Sequence, residues 1–104
     1  MVRVCFPDPS DNSLRFIVEG HSGHSEKGSD PVCAGVSSLV LTFLGGLEKE
    51  LHAKITGHIS GGECNVNVLV ENRESKHLKL ISDVFRYGFE RLACEYPGFL
   101  SLEK

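Results

Sequence analysis

The order of apolar and polar positions along the first twenty residues predicts two short strands. Val2, Val4 and Phe6 alternate with polar or small residues, and the segment 14–19 alternates in the same way. A period of two is typical of a strand with one buried face. The intervening segment 7–13 is short and rich in turn-forming residues, which favours an antiparallel hairpin.

A long apolar segment from Pro31 to about Leu51 follows and predicts a helix buried on most of its sides. Gly35, Gly45 and Gly46 interrupt it, and glycine inside a helix costs about 1 kcal/mol relative to alanine. Two interpretations remain open. In the first, close packing or a dimer contact is the reason that the helix tolerates these glycines. In the second, the adjacent pair Gly45-Gly46 ends or bends the helix.

The second half of the chain repeats the strand–strand–helix order. Segments 54–60 and 64–71 alternate around Gly61-Gly62, a pair suited to the positive φ angles of a tight turn. Segment 73–96 has apolar residues on one helical face and charged residues mostly on the other, and a Pro-Gly pair follows it. The sequence therefore predicts a second hairpin and an amphipathic helix.

The predicted fold class is α+β, with element order ββαββα and an antiparallel sheet covered by two helices. The apolar segment 99–102 either adds a short terminal strand or packs as a tail. A length of 104 residues predicts a single domain, 1–104.

Composition narrows the classes of function. The net charge is −3 and the eleven Lys and Arg residues are scattered, which argues against a direct nucleic-acid partner. The N-terminus lacks a secretory pattern. The uncharged stretch 32–47 has sixteen residues and is too short to span a bilayer. We expect a cytoplasmic protein without a membrane segment.

The four cysteines are spread along the chain, at positions 5, 33, 64 and 94. They form no Cys-x-x-Cys pair, and none lies near a histidine at zinc-finger spacing, so no metal site is predicted from them. In a reducing cytosol free thiols are the expected state. We expect three of the four to be core residues.

The stretch 20–33 carries the candidate chemistry. Asp30 is a good helix N-cap and Pro31 suits the first helical position, so Cys33 falls in the first turn. There the helix dipole favours the thiolate, whereas the Asp30 carboxylate opposes it. His21, twelve residues before the cysteine, lies at the start of the preceding loop. This is a nucleophile-and-base pattern.

Structural interpretations compete with this one, because a cysteine is often simply buried and a loop histidine simply solvated. The loop length favours function: about eleven residues exceed the usual median of about 4–6. The free N–H groups of the first helical turn are candidate oxyanion donors. Ser37, one turn after Cys33, either steadies the thiol or the base, or bonds an i−4 carbonyl.

Two other chemistries fit less well. Gly23-x-x-x-x-Gly28 begins like a phosphate-binding loop, but the required lysine is missing and an aspartate stands where phosphate would bind. His21-x-x-His24 with Asp30 falls short of a complete metal-ligand set.

At this motif the sequence resembles the ribosomal-processing cysteine protease family known as Prp, or YsxB-like proteins. The shared residues, in the family's spacing, are Gly20-His21, Gly23, Gly28, Asp30, Val32-Cys33-Ala34 and Val36-Ser37. Chain length and element order match as well, so the resemblance spans nearly the whole chain.

The resemblance implies a small α+β cysteine protease domain that forms a homodimer and uses no cofactor or metal. Cys33 would be the nucleophile and His21 the general base, supported by Asp30, Ser37 and Gly20. The substrate loop would include Gly23, His24 and Gly28 and would move to admit substrate. The family removes an N-terminal extension from the precursor of large-subunit ribosomal protein twenty-seven, cutting after an aromatic residue.

The sequence departs from the family pattern at three positions. Gly35 stands in place of an alanine and Pro31 in place of an aliphatic residue. His24 replaces a residue that is often aromatic, so a second imidazole competes with His21 for the role of base. The alternative function, from a different class, is a non-catalytic ribosome-associated protein that binds a peptide with the loop.

Overall fold

The computed structural model describes residues 1–26, 28–60 and 63–104, and within them it contains five strands and two long helices. They occur in the order β1 (Val2–Cys5), β2 (Ser13–Glu19), α1 (Pro31–Leu51), β3 (Lys54–Ser60), β4 (Glu63–Leu69), α2 (Ser75–Glu95) and β5 (Leu100–Glu103). A 3-10 turn, Asn72–Glu74, leads into α2. The predicted ββαββα order is confirmed. The turn predicted at Gly61-Gly62 lies outside the described residues.

The strands form one sheet in the order β3-β4-β2-β1-β5. Three neighbouring pairs are antiparallel, but β5 runs parallel to β1, with Val2 opposite Leu100. The sheet is therefore mixed. The C-terminal segment forms a strand, because Val2 N–H donates to Phe99 O at 3.0 Å and Phe6 N–H donates to Glu103 O at 2.7 Å.

Both helices contribute to the core against one face of the sheet. Strand alternation directs one set of side chains into this core, whereas Asn65 and Asn67 lie on the opposite, exposed face. Four phenylalanines from both layers meet at the centre, with ring centroids 4.8–6.0 Å apart in the closest pairs: Phe6, Phe16, Phe43 and Phe89. These contacts join the two layers.

Helix α1 is buried on one side only, which corrects the prediction of burial on most sides. Leu41 is 65% exposed because the sheet and α2 cover only the opposite side of the helix. The helix continues through Gly45 and Gly46 to its end at Leu51, so the pair does not end it. Close packing accounts for Gly35, since a Cβ there would lie 3.1 Å from the Leu92 side chain.

Helix α1 is long and apolar enough to cross a membrane, judged by length and composition alone. This corrects the prediction that its uncharged stretch is too short to span a bilayer. A core helix passes the same test. Seven residues of α1 are buried, and they pack against the sheet and α2: Val32, Val36, Val40, Phe43, Leu44, Leu47 and Leu51.

Candidate active site

The start of α1 forms around Asp30, which is the N-cap as predicted. Its backbone is extended, with φ −84° and ψ 111°, and Pro31 occupies the first turn. The Asp30 carboxylate accepts from Val32 N–H at 2.9 Å and from Cys33 N–H at 3.2 Å. These bonds satisfy two of the donors that a helix N-terminus leaves free.

Ser22 is the second partner of Asp30. Its hydroxyl donates a short hydrogen bond to the Asp30 carboxylate, and Ser25 N–H adds a longer contact of 3.4 Å. Both Ser22 and Asp30 are buried. The Ser22 hydroxyl, followed by the backbone donors, holds the pKa of Asp30 at about 2, below its usual 3.8. The site therefore contains a fixed negative charge at neutral pH.

Cys33 lies in the first turn of α1, as predicted, and is half-buried. Its Sγ lies 3.8 Å from Ser22 Oγ. Cys33 and Asp30 lie next to each other in the structure. The Asp30 carboxylate therefore places a negative charge next to the Cys33 residue.

The structure contradicts the expectation that the first-turn N–H groups serve as oxyanion donors. Val32 and Cys33 donate to the Asp30 side chain, and Ala34 N–H donates to Asp30 O at 3.0 Å. Pro31 has no N–H. Every donor of this turn is engaged in the conformation observed, because the N-cap carboxylate occupies the place where an oxyanion would bind.

His21 directly precedes Ser22, so its backbone lies next to the cluster formed by Ser22, Asp30 and Cys33. Its side chain is exposed to solvent. Among the described residues, no hydrogen bond joins the His21 ring to Cys33. Catalytic contacts are often long or open in the absence of substrate and close when it binds.

His24 packs against aromatic neighbours at the far side of the loop. Its ring lies edge-on to Phe99, with centroids 4.8 Å apart, and to Tyr96 at 5.4 Å. Nδ1 of His24 also lies 2.9 Å from Ser25 Oγ. The second imidazole therefore anchors the loop to the segment between α2 and β5.

The glycines of the loop have conformations that other residues rarely adopt. Gly20, Gly23 and Gly28 have φ angles of 91°, 71° and 93°. At Gly20 a side chain would also collide with the carbonyl of Met1, whereas the other two glycines face open space. Gly20 therefore fixes where the loop leaves β2. Ser37 is half-buried one turn beyond Cys33.

The other cysteines differ from Cys33 in their surroundings. Cys64 is buried under the sheet, and burial raises the pKa of its thiol to about 11. Cys5 lies 3.1 Å from the Glu103 carboxylate, which accepts its hydrogen bond and raises the pKa of the Cys5 thiol. Cys94 is exposed on α2. The prediction of three core cysteines is therefore wrong: only Cys64 is a core residue, because Cys5 lies on the outer face of the sheet.

Ser22 is the residue that sequence reasoning missed. Its contact with Asp30 spans eight positions and depends on the path of the loop, so no periodicity indicates it. The one signal in the sequence was its place beside a candidate base in a glycine-rich loop. Within residues 1–26, 28–60 and 63–104, no group of three or more His, Cys, Asp or Glu side chains could hold a metal ion.

The chain is thus an α+β protein with a half-buried cysteine in the first turn of a core helix. The family model for cysteine protease Prp matches residues 1–101, and the chain belongs to this family. A comparison with curated proteins found no match.

Solved structures share the fold over nearly the whole chain. The ribosomal processing protease Prp from S. aureus, in complex with a covalently linked product peptide, is 18% identical with a TM-score of 0.80, covering 99% of this chain and 98% of that one. The same protease in complex with a substrate peptide is 17% identical with a TM-score of 0.74, again covering 99% of this chain and 98% of that one. SMU.848 from Streptococcus mutans is 23% identical with a TM-score of 0.73, covering 99% of this chain and 92% of that one.

Proposed function

We propose that this chain is a cysteine endopeptidase that removes the N-terminal extension from the precursor of large-subunit ribosomal protein twenty-seven. The observation that carries the proposal is Cys33, half-buried in the first turn of a core helix beneath a glycine-rich loop, in a chain of the Prp family. The peptide complexes of the S. aureus protease support a peptide substrate.

In the proposed reaction His21 takes the thiol proton of Cys33, and the thiolate attacks the carbonyl carbon of the scissile peptide bond. The tetrahedral intermediate collapses as His21 returns the proton to the departing amine. This leaves a thioester on Cys33 and releases one peptide. Water, deprotonated by His21, then hydrolyses the thioester and restores the thiol.

The remaining residues support this pair. Asp30 fixes the first turn of α1, so that the backbone carrying Cys33 cannot shift, and Gly20 sets the direction in which the loop leaves β2. Ser37, half-buried on the next turn, steadies the thiol side of the helix. Gly23 and Gly28 bracket the substrate loop and let it open for the peptide.

His21 is the better candidate for the base of the two histidines. Its ring is exposed and free to turn toward a bound substrate, whereas the His24 ring is packed against Tyr96 and Phe99. Recruiting His24 would require breaking both aromatic contacts. His24 therefore belongs to the loop and not to the reacting pair.

Cleavage of the organism's own extended ribosomal protein, followed by mass spectrometry, tests this assignment. We expect the unsubstituted protein to remove the extension, and Cys33→Ala and His21→Ala to lose at least about a hundredfold in rate. His24→Ala should keep His21-dependent cleavage, and Cys94→Ala is the matched cysteine control.

Three outcomes would count against parts of the proposal. Cleavage by Cys33→Ala would exclude the nucleophile, and loss of cleavage in His24→Ala but not in His21→Ala would move the base to His24. Tight binding of the precursor without cleavage by the unsubstituted protein would favour the ribosome-associated peptide-binding protein.

The protein also acts as a homodimer in this proposal. Leu80, Val84 and Tyr87 share one side of α2 and are 57–64% exposed, and Leu41 is similarly exposed on α1. Self-association would cover these apolar side chains. Sedimentation velocity should show that Val84→Asp shifts the protein toward monomer. Leu69→Asp, which alters an exposed apolar residue of β4, should not; equal effects would contradict the proposed surface.

A cytoplasmic location follows from the same proposal, because the substrate is a ribosomal protein. All four cysteines are free thiols in the structure. That state suits a reducing compartment.

A further inference from the structure

The Ser22 hydroxyl contacts three polar groups at the start of α1 and in the loop. Ser22 is 5% exposed, and its Oγ is bonded to Asp30 Oδ2, accepts from His24 N–H at 3.1 Å and lies 3.8 Å from Cys33 Sγ. A serine hydroxyl has one proton to donate and two lone pairs to accept with. All three positions are used here.

The direction of these bonds follows from the partners. An ionised carboxylate only accepts and a backbone N–H only donates. The Ser22 hydroxyl therefore donates its proton in the hydrogen bond to Asp30, and one of its lone pairs accepts from His24 N–H. The remaining lone pair faces Cys33 Sγ. In the resting site the thiol must therefore be the donor, with its proton directed at Ser22 Oγ.

This arrangement cannot persist once Cys33 becomes a thiolate, because two lone pairs would then face each other. Asp30 can lose the hydrogen bond from the Ser22 hydroxyl and keep other donors, since the backbone N–H groups of Val32, Cys33 and Ser25 still donate to it. A rotation about the Cα–Cβ or Cβ–Oγ bond of Ser22 suffices to redirect the proton to sulfur.

We propose that Ser22 is a positioning residue for the nucleophile, whose hydroxyl donates to Asp30 in the resting thiol and to Cys33 Sγ in the thiolate. The inference rests on the proposed function, in which Cys33 is the nucleophile. No covalent bond to Ser22 is made or broken. The thiol proton goes to His21, and the Ser22 proton stays on Ser22 while its hydrogen bond changes partner.

Ser22 also fixes the loop relative to the helix. It is covalently joined to His21, and through its hydroxyl it is tied to the N-cap of α1. When the loop opens at Gly23 and Gly28, this bond keeps the His21 backbone beside Cys33. The loop can thus move to admit a peptide without separating the base from the nucleophile.

Among the described residues, Asp30 is the titratable group in contact with Cys33; His21, His24 and Glu26 lie on the loop, and Tyr96 at the end of α2 contacts His24. A serine substitution leaves all of them in place. A change in the pH midpoint of thiol reactivity in such a variant therefore reports on the lost hydroxyl.

The test measures alkylation of Cys33 by iodoacetamide from about pH 5 to 10, with mass spectrometry to separate it from the other cysteines. In Ser22→Ala we expect the rate at pH 7 to fall about tenfold and the midpoint to rise by about one pH unit, because a hydrogen bond to the thiolate is lost. Ser22→Thr keeps the hydroxyl and should retain most of the rate. Ser29→Ala, which removes an exposed loop hydroxyl bonded to Glu26 O, is the control.

An unchanged or faster alkylation of Cys33 in Ser22→Ala would overturn the proposal, as would equal slowing in Ser22→Thr and Ser22→Ala. If Ser22→Ala fails to fold, Ser22→Thr decides: a rate close to that of the unsubstituted protein supports the role and a tenfold loss overturns it.

Cleavage kinetics separate this inference from the function beneath it. In Ser22→Ala we expect kcat to fall about tenfold with KM unchanged, because the hydroxyl acts on the nucleophile and not on peptide binding. Cleavage by Cys33→Ala would defeat the proposed function itself. Normal kcat in Ser22→Ala, beside a cleaving unsubstituted protein and an inactive Cys33→Ala, would defeat only the role of Ser22.

Discussion

At the scale of single residues, Asp30 links the stability of the site to its chemistry. The carboxylate caps α1, accepts from the Ser22 hydroxyl and places a negative charge beside Cys33. The cap and the hydrogen bond from Ser22 stabilise the folded loop and the start of the helix. Asp30 therefore holds the loop to the start of α1, beside Cys33.

Asp30 should make the stability of the fold depend on acid pH. Its pKa is about 2 in the folded state and 3.8 without these contacts, so its contribution is complete above about pH 4 and disappears as the pH falls toward 2. We expect Asp30→Asn to lower Tm at pH 7 and the two Tm curves to converge between about pH 4 and pH 2. Thermal unfolding followed by circular dichroism measures this.

The matched control is Asp11→Asn, which changes an exposed aspartate in a turn of positive φ that asparagine also tolerates. Its Tm curve should stay parallel to that of the unsubstituted protein. Parallel curves for Asp30→Asn would show that the carboxylate gains nothing from its contacts.

The residue scale also shows what could be predicted from sequence. The cap at Asp30 and the place of Cys33 follow from local rules, because both depend on the next three residues of the same helix. The contact from Ser22 and the packing of His24 against Phe99 depend on how the loop folds back, and no local pattern encodes that path. The engagement of the first-turn N–H groups was missed because the cap and the oxyanion compete for the same donors.

At the scale of elements, the glycines of the two helices fall into two groups. Gly35 and Gly88 lie where the helices touch, and a Cβ on either would lie 3.0–3.1 Å from a leucine of the other helix. Within the described part of the chain, Gly45 and Gly46 have no neighbour outside their own helix within 4 Å of the position that a Cβ would take. Only the first pair is required by packing between α1 and α2.

We expect Gly45→Ala and Gly46→Ala each to raise the free energy of unfolding by about 1 kcal/mol, because alanine is the better helix former and the space is open. For a domain of this size that corresponds to a Tm increase of about 4–8 °C. Gly88→Ala should gain less or lose stability, since Leu39 must move. Differential scanning calorimetry measures the three changes.

A loss of stability in Gly45→Ala, accompanied by weaker self-association in sedimentation, would place this glycine in a dimer contact instead. That outcome would support the dimer interpretation that the sequence left open.

The elements themselves were largely predictable. The bounds of α1 and β3 agree with the sequence pattern because caps and a sustained period mark them. The direction of β5 was not predictable, since four residues of alternating pattern pair equally well either way. Helix α2 connects β4 to β5, and β5 pairs parallel to β1 at the edge of the sheet.

At the scale of the whole molecule, Arg86 joins α2 to the far end of β1. It is 4% exposed, and its guanidinium donates to Phe6 O at 2.8 Å and to Pro7 O at 3.0 Å. It also pairs with Asp83 at 2.8 Å and lies over the Phe6 ring at 4.7 Å. This contact is at the opposite end of β1 from the loop, because Gly20 lies next to Met1.

Arg86→Met should therefore weaken the fold without altering the site. Methionine keeps the aliphatic stem but leaves two carbonyls without their charged donor, and hydrogen bonds to charged groups contribute about 1.5–3 kcal/mol each. We expect a loss of about 3 kcal/mol in the free energy of unfolding, measured by urea denaturation. Arg91→Met, which removes an exposed pair with Glu95 at 3.0 Å, should change it by less than about 0.5 kcal/mol.

Cleavage separates a loss of stability from a loss of function in these variants. At a temperature where Arg86→Met is still folded, its kcat per folded molecule should equal that of the unsubstituted protein, because the loop and the start of α1 are anchored independently of it. A lower kcat at full folding would mean that the far end of β1 is coupled to the site through the sheet. Equal stability of Arg86→Met and Arg91→Met would instead show that the buried guanidinium loses as much by desolvation as it gains from its partners.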